Sequence, residues 1–282
     1  MILPGTAMAK SNGEARYSAE STTSAVSLRD ASKRFSVKSD WREAVRSVSL
    51  DLQCGDFVSI VGPTGCGKTT LLKMIAGFEQ PSTGSVLVFG RPATEQLGPR
   101  IGYLFQKPNL FPWLRIRDNV QFAARYARVY GSKGRLEEET DEWMNALGIG
   151  EAGALFPYEA SGGMRSRAAI ARVLLARPEL LLMDEPFSAL DALTRAGVHV
   201  LIKGLLRGND TLTTVLITHD INEALVLSQR VLVMSSRPGA IVAEVACPFG
   251  KSREDLVSIE GSAEFGNLKR DIIRALASNG QT

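Results

Sequence analysis

The stretch that most constrains this chain is Gly62-Pro63-Thr64-Gly65-Cys66-Gly67-Lys68-Thr69-Thr70. It fits the pattern G-x-x-x-x-G-K-[ST]. The residues before it, Phe57, Val58, Ile60 and Val61, read as a short apolar strand. After it, Leu71, Leu72 and Ile75 have helical spacing, and Gly77 stands where a C-terminal cap belongs. Glycines let such a loop curl until its N–H groups face one centre. The helix N-terminus adds partial positive charge at the same place. Lys68 is placed to reach β- and γ-phosphates, and the Thr69 hydroxyl to hold Mg²⁺. The segment from Gly62 to Thr70 therefore predicts a nucleotide phosphate site, with Cys66 read as a small loop residue.

Carboxylates are the next requirement of such a site. Leu180 to Met183 is a continuous apolar run, as in a strand buried on both faces, and it ends in Asp184-Glu185. Two adjacent carboxylates there are costly unless they have partners. Asp184 suits Mg²⁺, reached through water, and Glu185 suits the general base that activates a water on the γ-phosphate. Another apolar run, Val215 to Ile217, leads to His219, a candidate sensor of the γ-phosphate, and Asp220 with Glu223 fits a capping box. Gln106 follows the apolar strand IGYLF and is placed to reach Mg²⁺ or the attacking water. Just after it, Phe111, Pro112, Trp113 and Leu114 read either as a small satellite core or as a docking surface coupled to the site through Gln106. His199 reads as an ordinary helix residue.

Residues 159 to 167, EASGGMRSR, open a helix with two glycines and follow them with two arginines. One reading is a serine N-cap with a tight turn. The other is close approach of an anion to the backbone at Ser161, Gly162 and Gly163.

Composition excludes several other classes. The chain has 282 residues, 33 basic and 30 acidic, for a net charge of +3. That balance argues against nucleic acid or an anionic membrane surface as the main partner. Three separated cysteines and two histidines give no metal-binding spacing and suit a reducing cytosolic compartment. No apolar stretch approaches the ~20 residues needed to span a bilayer. Residues 1–24 read as a flexible polar tail without a signal-peptide core.

Taken together, GPTGCGKTT, FQKPNLFPW, SGGMRSR, LLLMDEPFSALD and ITHDINEAL resemble, in this order, the nucleotide-binding subunit of an ATP-binding cassette (ABC) transporter. QKPNLFPW and SGGM in particular resemble the nitrate/sulfonate/taurine-type importer branch. The resemblance implies an α/β fold, a P-loop NTPase with a RecA-like core. An antiparallel β portion near residues 26–60 and a helical subdomain near 107–165 complete it. The ABC ATPase domain would span 25–245, and 246–282 would form a C-terminal extension with an amphipathic terminal helix. GSKGR, at 131–135, reads as a loop between helices.

The same resemblance implies ATP and Mg²⁺ as cofactors and a second nucleotide-binding subunit, most simply a homodimer. Ser161, Gly162 and Gly163 would then cap the γ-phosphate held on the other subunit. Gln106, Asp191 and His219 would carry the Q-loop, D-loop and switch roles. Phe35 would stack on adenine, with Trp41 nearby. Two integral membrane permease subunits and, indirectly, an extracytoplasmic solute-binding protein would be the partners. The chain would sit peripherally on the cytoplasmic face of the cell membrane and energise uptake of a small solute such as nitrate, a sulfonate, taurine or bicarbonate. Alternatives are a non-transport ABC ATPase or an ATP-binding regulator with weak turnover. Two departures from the family pattern stand out. Ala160 replaces a leucine, removing about 1–3 kcal/mol of packing if the position is buried. Ser166 replaces a glutamine.

Overall fold

Continuous apolar runs form the strands nearest the candidate residues. In the computed structural model, which describes residues 24–37, 40–96, 98–207, 209–250, 252 and 255–278, the chain divides into two compact units. One is built from the described residues of 24–96 and 211–278, the other from those of 98–210. The tail expected at 1–24 lies outside the described residues except for Ser24.

The first unit contains two sheets. One is antiparallel, with β1 (Ser24–Val37) between β2 (Asp40–Gln53) and β4 (Thr83–Val88), and β5 (Arg91–Pro92) at the edge. The antiparallel portion therefore extends beyond the expected 26–60, because Val26 pairs with Val88. The segment 57–61 leaves it. That segment is β3 (Phe57–Val61), which is parallel to both β8 (Thr213–Ile217) and β9 (Arg230–Met234). All five residues of β3 and of β8 are buried, which explains their unbroken apolar or small-residue sequences. β10 (Ile241–Ala246) pairs antiparallel with β9 after an Arg-Pro-Gly turn, as the sequence suggests.

The described residues of this unit also form the α-helices α1 (Lys68–Ile75), α6 (Ile221–Leu227), α7 (Leu256–Glu260) and α8 (Ala263–Ser278). The terminal amphipathic helix α8 buries Phe265 and Ile272, and the Phe265 ring lies 5.9 Å from that of Phe249.

The second unit pairs β6 (Ile101–Leu104) parallel with β7 (Leu180–Asp184), and its described residues add α-helices. These are α2 (Ile116–Ala127), α3 (Lys133–Ala146), α4 (Gly162–Leu175) and α5 (Ala192–Arg207). Helices α2, α3 and α4 pack on one another around Val120, Trp143, Met144 and Ile170, all buried. The expected loop at 131–135 is shorter than the sequence suggests. The Ser132 hydroxyl accepts from the Arg135 N–H and caps α3, so Lys133, Gly134 and Arg135 are helical. Phe105 likewise falls beyond the end of β6.

Candidate functional site

In the first unit, the chain leaves β3 at Val61, curls through the glycine-rich loop and enters α1 at Lys68. Gly65 has φ 75° and Gly67 φ 110°, in the left-handed region where other residues are strained. A side chain on Gly67 would also meet the Ala44 carbonyl oxygen at 2.3 Å. Gly67 is the N-cap of this helix, which has no side-chain cap and no acidic residue in its first turn. By contrast, Ser132, Ser161 and Asp220 each accept a first-turn N–H at the start of α3, α4 and α6. With no side chain over it, the start of α1 and its helix dipole suit an anion.

Lys68 is buried, and its Nζ donates to the carbonyl oxygens of Gly62 (2.8 Å) and Pro63 (2.9 Å). The ammonium is therefore held at the mouth of the loop. Cys66 is 1% exposed, with its Sγ 4.0 Å from Lys68 Nζ, in keeping with a small packed residue. Thr69 is exposed and Thr70 half-buried at the start of α1.

The same unit brings His219 to the carboxyl end of β8, the strand paired with β3 through Ile60 and Ile217. The Thr218 N–H donates to the Ile60 carbonyl, and the Thr218 hydroxyl accepts from the Asp220 N–H. Asp220 Oδ1 in turn accepts from the N–H groups of Asn222 and Glu223, the cap expected from the sequence. His219 is exposed on this tied turn. Phe35 is half-buried on β1, opposite Arg42, with Lys33 Nζ 5.1 Å from its ring centre. Trp41, 68% exposed, pairs with Ser36 on the same hairpin.

In the second unit, β6 and β7 end side by side and present Gln106, Asp184 and Glu185. Asp184 is 6% exposed. Gln106 Nε2 donates to Glu185 Oε2 at 3.1 Å. Glu185 has φ 48°, an unusual backbone conformation for a glutamate and one that costs about 1–3 kcal/mol. The Ser188 N–H and hydroxyl both donate to its carbonyl and hold the turn. Asp191 accepts from the Thr194 N–H at 3.0 Å and caps α5, a bond that lowers its carboxyl pKa. His199 is an ordinary buried helix residue, edge-on to Phe187 at 5.0 Å.

The Ser161-Gly162-Gly163 segment opens α4, as expected, and Ser161 caps it by accepting from the Met164 N–H. Gly162 is exposed and Gly163 half-buried. The two arginines that follow bind backbone rather than offer themselves to an anion. Arg165 donates to the Pro157 and Ala160 carbonyls, and Arg167 to those of Gly163, Leu147 and Gly148. Ser166 donates to the Gly162 carbonyl. The start of α4 is therefore braced from outside while its glycine N–H groups stay accessible. Ala160 is 4% exposed, so the packing lost at that position is a buried loss.

Sequence reasoning missed the residues that shape the loop after Gln106. Asn119, fully buried in α2, accepts from the Phe111 N–H and donates to the carbonyls of Phe111, Leu114 and Arg115. Arg172 of α4 donates to the carbonyls of Pro108 and Asn109. Trp113 remains 70% exposed, and Phe111 lies 5.4 Å from it and 4.5 Å from the exposed Phe122. The cluster is thus a rigid, outward-facing aromatic surface rather than a satellite core.

Among the described residues no helix is long and apolar enough to cross a membrane. No cluster of three or more histidine, cysteine or carboxylate side chains able to hold a metal occurs among them. Residues 45–188 match the family described as ABC transporter. The chain is 39% identical over 236 residues to the nitrate import ATP-binding protein of Synechococcus elongatus, covering 83% of this chain but 35% of that relative. It is 34% identical over 257 residues to the aliphatic sulfonates import ATP-binding protein of Bacillus cereus, covering 90% of this chain and 97% of the relative. Among solved structures, a dimeric ATP-binding cassette in a post-hydrolysis state, bound to ADP and Pi, superposes with a TM-score of 0.70 at 30% identity. That alignment covers 78% of this chain and 98% of that one. The matched span contains the glycine-rich loop, Gln106, the braced helix start and both carboxylates, and the chain belongs to the ABC transporter family as one of its ATPases.

Proposed function

We propose that this chain binds and hydrolyses ATP to energise import of a small solute through partner membrane subunits. The observation that carries the reading is the 3.1 Å hydrogen bond from Gln106 to Glu185. It ties the candidate general base to the first residues of the loop that ends in the exposed Trp113. A change at the base is thereby communicated to a surface fit for a partner. The names of the nitrate and sulfonate relatives support import, and small anions of that kind are the proposed cargo.

In this reading Gly62 to Thr70 cradle the phosphates through backbone N–H groups, and Lys68 supplies the positive charge. Phe35 stacks on adenine. Glu185 accepts a proton from the attacking water, Gln106 orients that carboxylate, and His219 donates to the γ-phosphate. Ser161, Gly162, Gly163 and Asp191 serve the nucleotide of a second copy of the chain. Thr69, Gln106 and Asp184 offer only oxygen donors, the set a Mg²⁺ ion prefers, and bound Mg²⁺ would neutralise phosphate charge. Two permease subunits would dock on the Phe111–Leu114 surface, placing the chain at the cytoplasmic face of the membrane. A solute-binding protein would act with them at a distance.

Arg172 extends the coupling, because α4 carries both the Ser161 helix start and the arginine that holds Pro108 and Asn109. Closure of the dimer would therefore move the docking loop as one body with α4. Trp113→Ala is expected to reduce membrane recruitment at least about ten-fold, the weight of a central interface aromatic. ATP affinity should stay unchanged. Pelleting of the protein with membranes that contain its partners reads the effect, and undiminished pelleting would remove the docking assignment.

A further inference from the structure

The turn between β9 and β10 packs against the outside of the glycine-rich loop, and the motifs of the site do not include it. Arg237 Nε donates to the Gly65 carbonyl oxygen at 2.6 Å. Its guanidinium comes close to that glycine, since a Cβ there would sit 2.8 Å from Arg237 Nη2. Two residues on, Gly239 approaches so closely that a Cβ would stand 2.0 Å from the Cys66 carbonyl oxygen. One turn therefore meets two consecutive loop carbonyls, those of Gly65 and Cys66.

A trans peptide is planar, and its C=O and N–H point in opposite directions. Holding the Gly65 carbonyl on one side turns the Cys66 N–H to the other, where it donates to the Pro63 carbonyl at 3.3 Å and closes a turn of the loop, and the seated Cys66 carbonyl fixes the next peptide in the same way. Glycines at 65 and 67 have little intrinsic preference for this orientation, because glycine samples both signs of φ. Something else must fix it. The turn is itself well anchored. Gly239 N–H donates to the Ala44 carbonyl at 3.1 Å, and its carbonyl accepts from the Arg46 N–H at 2.8 Å. The Ser235 hydroxyl accepts from the Ala240 N–H and donates to the Pro238 carbonyl.

We infer that Arg237 is a positioning residue for ATP binding, which acts by holding the Gly65 carbonyl, and with it the Pro63–Cys66 turn, so that the loop keeps the shape that cradles the phosphates. The inference rests on the ATP-binding reading above. Preorganised donors avoid the reorientation cost on binding, so the effect falls on nucleotide affinity. Glu185 belongs to another strand end, and its proton transfer is left largely intact.

The test is made on the full chain. KM for ATP and kcat are measured for wild type, Arg237→Ala and Gly239→Ala, ADP affinity by titration calorimetry, and the unfolding midpoint for each. Arg237→Ala is expected to raise KM for ATP and Kd for ADP about ten-fold, with kcat within about two-fold and an unchanged midpoint. Gly239→Ala, which presses on the neighbouring carbonyl, is expected to raise KM by at least as much. Unchanged KM and ADP affinity in Arg237→Ala overturn the inference while the wild type still binds ATP. A fall in kcat that tracks a lowered midpoint also overturns it, in favour of a general structural role. A wild type that binds neither nucleotide overturns the ATP-binding reading itself.

Discussion

Glu185→Gln is expected to lower kcat for ATP hydrolysis by about 10²–10³-fold while leaving ATP affinity within a few-fold of wild type. The side chains match in size, so the change removes the ability to accept a proton and little else. The amide retains an oxygen able to accept from Gln106 Nε2, which now donates to Glu185 Oε2 at 3.1 Å. The left-handed backbone at Glu185, φ 48°, and the Ser188 bonds to its carbonyl are independent of the side chain, so the turn should persist. A position that keeps a strained backbone beside a buried aspartate suits a group whose direction matters. Phosphate release at saturating ATP gives kcat, and titration with ADP checks that the nucleotide site is intact. Activity within about two-fold of wild type would remove Glu185 from the role of base. If hydrolysis opens a closed pair, the same variant with ATP should also elute as a dimer.

Lys68→Ala is expected to weaken ATP binding by about 100-fold. A hydrogen bond to a charged group contributes about 1.5–3 kcal/mol, and each 1.4 kcal/mol is a factor of ten in affinity. Loss of the phosphate contact alone accounts for about one to two of those factors. The remainder comes from the loop. Lys68 Nζ donates to the Gly62 and Pro63 carbonyls, and alanine leaves both without that donor. A loosened loop must then be ordered by the nucleotide itself. The unfolding midpoint should fall only modestly, since the strands on which the loop is built, β3 and β8, are wholly buried without Lys68. Calorimetric titration with ATP measures the effect. Affinity within about three-fold of wild type would mean that Lys68 does not meet the phosphates.

How much of this could be read from the sequence depends on the range of the interaction. The buried strands β3, β7 and β8 were legible because a strand covered on both faces needs no polar alternation. The Asp220 cap and the Ser161 helix start were legible because capping acts over three residues. The reach of the antiparallel sheet was not, since Val26 finds Val88 across 62 positions and Thr83-Gly84-Ser85 gives no apolar alternation. Lys133 to Arg135 looked like loop because Gly134 weakens the helical pattern, whereas one serine cap sufficed to start α3 there.

Among the candidate residues, types with one dominant chemistry stood out in the sequence: Lys68, Asp184, Glu185 and His219. The arginines did not. Arg165, Arg167, Arg172 and Arg237 all donate to backbone carbonyls, which carry no sequence signature, and some of those carbonyls come from distant segments. Asn119 was hidden for the same reason: its four bonds are all to backbone around residues 111–115. The two arginines after Gly163 illustrate the point. Their charge suggested an anion nearby, and their geometry shows a brace on backbone carbonyls.

We propose that this ATPase drives transport through membrane partners. Affinity purification of the protein from its native membranes in mild detergent, with co-purifying chains identified by mass, tests it most directly. Two polytopic membrane subunits are expected in the complex, lost or reduced with Trp113→Ala, and the solute-binding protein recovered with them would define the cargo. Recovery of soluble partners only, from membranes whose other complexes are shown to be intact, would contradict the transport assignment while leaving the ATPase standing.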